Sequence, residues 1–192
     1  IMEDQMFLDC FGCDIDYSLG KNFADFADQF SKDSRYRTEL YKLRRKFMSH
    51  ADGLIHADLH TSNILASRDE MKVIDMEFAF MGPFGYDLGY LVGNLISQYC
   101  AACFKRFPSE QSRKQFKAYL LATIKSLIET YMKTFTLCWE KSVKERYRGQ
   151  QGLLQSILQE VMEDVPGYAS MVNWFRSVSE IPYPDFDIIE DK

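Results

Sequence analysis

Between His56 and Gly89 the chain reads HADLHTSNILASRDEMKVIDMEFAFMGPFGYDLG, and no other stretch restricts the possible folds as tightly. Two acidic motifs lie there in a fixed order. The first, His56-Ala57-Asp58-Leu59-His60-Thr61-Ser62-Asn63, follows the short apolar pair Leu54–Ile55. The second, Ile74-Asp75-Met76-Glu77, closes a second apolar run. Between them stand an apolar segment (Ile64–Ala66), a polar turn (Ser67–Glu70) and another apolar segment (Met71–Ile74), the pattern of a β-hairpin. A hairpin brings its two ends together, so Asp58, Asn63, Asp75 and Glu77 are expected around one small space.

Oxygen-bearing side chains in that arrangement suit phosphoryl transfer, which asks a protein for positioning and charge stabilisation more than for covalent chemistry. Asp58 is placed to accept the proton of an attacking hydroxyl. Asn63, Asp75 and Glu77 are hard ligands of the kind that hold Mg²⁺, which takes only one or two carboxylates and keeps several waters. The frame His-x-Asp-Leu-x-x-x-Asn is that of a kinase catalytic loop. Taken singly, either aspartate would read as an ordinary turn residue. Both in order across a hairpin point to a phosphotransferase.

The same residues resemble the 5-methylthioribose kinases, members of the aminoglycoside-phosphotransferase and choline-kinase branch of the protein-kinase-like fold. Carrying the resemblance are Leu54 to Asn63, then Val73-Ile74-Asp75-Met76-Glu77-Phe78-Ala79-Phe80, Gly82-Pro83-Phe84-Gly85-Tyr86-Asp87 and Gly93-Asn94-Leu95. It is dense over Leu40–Leu95 and thinner beyond. It implies ATP and a small sugar as reactants, Mg²⁺ as cofactor, a cytoplasmic location and a homodimer as one allowed assembly. It also implies contact of Asp58, Glu77 and Arg176 with the sugar. The family has an arginine pair where this chain has Phe175-Arg176. Arg176 therefore either acts alone or is a solvent-facing helical arginine, and choline-type or aminoglycoside-type acceptors stay open. Ala57 replaces a glycine of the family, Asn63 a serine and Met76 a proline.

Around this stretch the expected fold is α+β and mostly helical, the C-terminal lobe of a protein-kinase-like fold with a small β-hairpin carrying the catalytic and metal loops. No G-x-G-x-x-G phosphate loop occurs, and nothing ahead of His56 reads as a nucleotide-binding sheet. Residues 1–21 accordingly read as a connector from an N-terminal lobe and residues 22–192 as the helical lobe, inactive without its counterpart; a non-catalytic half-kinase is the competing reading. Helices are expected over Asn22–Phe30 and Ser34–Ala51, the latter ended by Gly53. Others follow from Asp87 to about Phe104 and over Ser112–Trp139, Leu153–Met162 and Tyr168–Val178, the last two parted by a Pro166-Gly167 turn. The tail Ile181–Lys192 reads as extended. His56 and Asp87 are expected to brace the loop, with an N-cap as the other role open to Asp87.

Composition excludes several classes. A net charge of −5 gives no basic footprint for nucleic acid. No run approaches the ~18 apolar residues of a membrane helix, and Ile1–Gly20 lacks the pattern of a secretory signal. Four of the five cysteines form Cys10/Cys13 and Cys100/Cys103. Zinc ligation is one use of such pairs; buried thiols inside an apolar helix is the reading adopted.

Overall fold

The computed structural model describes Glu3, Met6, Phe7 and residues 28–178. The expectations for the remainder of 1–27, and for the tail Ile181–Lys192, fall outside the described residues. Residues 28–32 are helical, within the span expected to start a helix at Asn22. Met6 and Phe7, from the expected connector, are both buried, and the Phe7 ring lies 5.3 Å from that of Phe47.

Helix α1 spans Ser34–Ser49. Its start is set by Asp33, whose carboxylate accepts hydrogen bonds from Arg35 N and Tyr36 N at the helix N-terminus. Leu40 and Phe47 form its buried face. The helix ends at His50, not at Gly53. Gly53 serves another purpose: a Cβ there would lie 2.5 Å from the Phe84 ring. Strand β1 (Gly53–Ile55) leads into the first acidic motif, and β2 (Ile64–Ala66) and β3 (Met71–Val73) form the expected antiparallel hairpin, with Ile64 opposite Val73. Strand β4 (Phe80–Gly82) returns to pair with β1, Ile55 opposite Phe80. Two small sheets thus clamp the motif loops at both ends.

Helix α2 (Gly85–Ala101) is the central element, buried along most of its length. The long helix α3 (Glu110–Ser142), capped by Ser109, lies across it. Only one side of α3 is half-buried, and Cys138 lies off it, exposed. Helix α4 is continuous from Gln151 to Val178. The expected break at Pro166-Gly167 does not occur. Pro166 gives up one backbone donor, a local loss, while the flanking turns are held by packing on two sides. Lys46 of α1 pairs with Glu160 and Asp164 of α4 at 2.5 and 2.6 Å. Tyr168 Oη donates to Leu43 O at 3.3 Å. Gly167 is where α1 comes closest, since a Cβ there would stand 2.5 Å from Leu43 Cδ1.

Glycines at every fourth position of α2 (Gly85, Gly89 and Gly93) face α4, and a Cβ on any of them would lie within 2.9 Å of an α4 atom. Residues four apart share a helix face, so α2 and α4 meet nearly backbone to backbone. The core divides around this contact. Tyr86, Tyr90, Tyr168, Val172 and Phe47 fill one side; Leu88, Val92, Val161 and Val165 fill the other, backed by Ile124 and Tyr131 of α3. At the end of α2, Ala101 and Ala102 face inward, which turns Cys100 and Cys103 out into exposed positions. The buried-thiol reading is thereby corrected for all three described cysteines. No helix among the described residues is long and apolar enough to cross a membrane.

Candidate active site

Strand β1 (Gly53–Ile55) leads directly into His56 and Ala57, both buried, and the half-buried Asp58. The loop turns sharply at Ala57, whose φ of 69° lies in the left-handed region that favours glycine. Asp87 explains how an alanine is held there. Its carboxylate accepts from His56 N at 2.6 Å and from Ala57 N at 2.9 Å. Asp87 sits in the first turn of α2, but the N-cap position is Phe84; the aspartate is a brace for the loop and not a cap for its own helix. Burial pushes its carboxyl above the usual range, and the two backbone hydrogen bonds only partly offset that.

His56 ties the two motifs together. Its Nδ1 accepts from Asp58 N at 3.3 Å and its Nε2 lies 2.8 Å from Ile74 O. With Nδ1 accepting from Asp58 N, the Ile74 carbonyl is the partner for a proton on Nε2. Ile74 N in turn donates to Asn63 O at 3.0 Å. Asn63 is buried at the end of the 3₁₀ turn Thr61–Asn63, and its Nδ2 donates to Asp58 O at 3.1 Å. Asp58, Asn63 and the residue before Asp75 are therefore linked by consecutive hydrogen bonds. Asp75 is exposed, with φ at 65°, a conformation aspartate tolerates better than most residues. Glu77 is exposed two residues further on, in the turn before β4. Arg176 lies elsewhere, in the last turn of α4, and is buried with Trp174 and Phe175. The solvent-facing alternative for Arg176 is overturned.

The Asp58 side chain is largely covered. Its Oδ1 accepts from Tyr90 Oη at 2.8 Å, and Oδ2 lies 3.5 Å from His60 Nε2. Burial pushes this carboxyl up, but the nearby His60 imidazole and the hydrogen bond from Tyr90 together outweigh it and hold it below the ordinary value. An aspartate so held is ionised at neutral pH, as a proton acceptor must be.

Two residues of this arrangement escaped the sequence reading as participants. Tyr90 grips the Asp58 side chain, and Asn94 Oδ1 accepts from Thr61 N at 3.1 Å and Thr61 Oγ1 at 2.6 Å. A signal was present: Asp87, Tyr90 and Asn94 fall at i, i+3 and i+7 of a helix otherwise rich in apolar residues. That spacing puts three polar groups on one face, and that face looks at the loop.

A model of the phosphotransferase enzyme family matches residues 16–127, more than half of the chain, and the chain belongs to that family. Its fold is α+β and mostly helical, the C-terminal lobe of the protein-kinase-like architecture. Among its relatives, the methylthioribose kinase of Geobacillus sp. (strain WCH70) is 33% identical over 192 residues, all of this chain and 46% of that protein. The methylthioribose kinase of Geobacillus thermodenitrificans is 35% identical over 196 aligned residues, again 46% of its length. That of Exiguobacterium sibiricum is 32% identical over 164 residues, 85% of this chain and 40% of the relative. The chain spans about half the length of the curated relatives it matches.

Proposed function

We propose that the complete gene product is an ATP-dependent small-molecule kinase that phosphorylates the 1-hydroxyl of 5-methylthioribose. The observation that carries the reading is the set of hydrogen bonds joining the two acidic loops, with Asp58 ionised and fixed at one end of it. Asp58 takes the proton of the acceptor hydroxyl. Asn63, through its side-chain oxygen, and Asp75 and Glu77, through exposed carboxylates, are the residues that would hold Mg²⁺ against the nucleotide phosphates. The donor set fits that ion. It is all oxygen, the ligand type Mg²⁺ takes, and with only two carboxylates in it the ion would keep waters and be shared with phosphate; among the described residues no group of three or more acids, histidines or cysteines that could hold a metal ion is brought together. The names of the relatives support the choice of sugar.

A second acceptor class is favoured by one feature. Phe175, where the resemblance expects the first of two arginines, is buried in the main core, which leaves only Arg176 for a sugar hydroxyl. ADP release should therefore be followed with methylthioribose, choline and an aminoglycoside in parallel. Turnover with methylthioribose is the expected result. Turnover confined to either of the others would refute the substrate, and none with any of the three would refute the kinase reading.

A further inference from the structure

We propose that Tyr90 is a positioning residue for the phosphoryl transfer: its hydroxyl, donated to Asp58 Oδ1, fixes the rotation of the carboxylate so that the other oxygen is presented to the acceptor alcohol. The inference rests on the reading of Asp58 as the base and adds the group that aims it.

Tyr90 is 2% exposed, with its ring in the main core 6.0 Å from that of Tyr86. A buried phenol needs a hydrogen-bond partner for its hydroxyl, and Asp58 Oδ1 at 2.8 Å is one. The bond is long in sequence, 32 residues, and comes from a different element than the loop it serves. Without it, Asp58 keeps its backbone anchors, since its N–H still meets His56 Nδ1 and its carbonyl still receives His60 N and Asn63 Nδ2. Those anchors fix the main chain and leave the carboxylate torsion open. That terminal torsion is a broad, soft one in aspartate, so a side-chain contact has to set it. On the opposite edge, His60 Nε2 stands 3.5 Å from Oδ2, too far for a good hydrogen bond and from the same loop as Asp58. Tyr90 is thus the firm contact and His60 the loose one.

The placement also explains why the contact comes from α2. Asp87 holds the loop backbone and Asn94 holds Thr61 from the same face. With Tyr90 between them, one rigid helix sets both the path of the loop and the aim of its functional carboxylate. Catalytic proton transfer requires the acceptor oxygen within hydrogen-bond reach of the hydroxyl, and small misplacements of a reacting group are costly. The charged and titratable groups around Asp58 are His56 and His60 from the loop and Tyr86 and Asp87 from α2; none of the four takes the place of the Tyr90 hydroxyl on Oδ1.

The test is a double-mutant cycle on the complete gene product, with Tyr90→Phe made alone and in an Asp58→Asn background. Tyr90→Phe alone should lower kcat about tenfold with the KM values for both substrates within about twofold, as expected for a group that acts on the reacting geometry only. In the Asp58→Asn background, measured by single turnover, the same change should cost nothing, because there is no base left to aim. Incorporation of 3-fluorotyrosine at position 90 keeps the shape and the donor and should retain kcat. An equal loss in both backgrounds, a rise in KM alone, or no loss at all would overturn the assignment of Tyr90. Full activity in Asp58→Asn would instead overturn the base on which it depends.

Discussion

Gly89→Ala and Gly152→Ala are the same chemical change in two helices, and the structure gives them opposite signs. In a helix interior alanine is better than glycine by about 1 kcal/mol, so both should gain from propensity, Gly152 less because it lies in the first turn of α4. Gly152 has nothing within 4 Å of the added Cβ, and its substitution keeps that gain. At Gly89 the added Cβ would stand 2.6 Å from Tyr168 Cβ, 3.0 Å from Val165 O and 3.4 Å from Ala169 N. Two of those three atoms are backbone, and Tyr168 cannot swing aside. It is fully buried, edge-on to Tyr86 at 5.0 Å and tethered through its hydroxyl to Leu43 O. Relief requires α2 and α4 to separate, and overpacking of that kind costs about 3 kcal/mol at the upper end. Net of propensity, Gly89→Ala should destabilise by about 2 kcal/mol, a fall in Tm of about 4–8 °C for a chain of this size. Thermal melts followed by far-ultraviolet circular dichroism would read both variants. If Gly89→Ala raised Tm as Gly152→Ala does, the close packing of α2 on α4 would be refuted.

Asp87→Asn leaves one oxygen for the two backbone donors of His56 and Ala57. Losing a charge-assisted acceptor should cost about 2 kcal/mol, partly offset because a buried carboxylate is removed, and urea unfolding would measure it. Asp58→Asn should reduce turnover about 10²–10⁴-fold while nucleotide affinity, followed by fluorescence titration, changes little. Asp75→Ala should instead weaken nucleotide binding only when Mg²⁺ is present, and equal weakening in its absence would remove Asp75 from the metal site. The pH dependence of stability also has a definite sign. Asp58 is held below its unfolded value of 3.8, so as pH falls through that window the unfolded chain takes the proton first. Its contribution is complete above 3.8 and lost as pH drops through the folded value. Asp58→Asn should therefore flatten the acid limb of a Tm-against-pH curve. A limb unchanged from wild type would show that the carboxyl is not held down.

The hairpin and both motif loops were legible because their signals are local. A polar turn between two apolar runs reads as a hairpin, and β2 and β3 fall within those two runs. Glycine and proline carry two meanings, and sequence cannot tell which applies. Gly53 and Pro166-Gly167 look like helix punctuation, yet Gly53 makes room for Phe84, Gly167 makes room for Leu43, and α4 runs through. The deciding partner is 31 positions away for Gly53 and 124 for Gly167. Cys100 and Cys103 failed for a related reason: at the end of α2 the inward positions go to Ala101 and Ala102, and composition alone does not say which small residue wins them. Tyr90 was hidden differently. Its ring satisfies the apolar pattern of α2, so periodicity counts it as core, and its hydroxyl acquires a meaning only when the loop 32 residues earlier is folded against it. The same helix face is therefore both core and site. A change there that preserves the ring and removes the hydroxyl should separate the two roles, leaving the packing of α2 in place while the aim of Asp58 is lost.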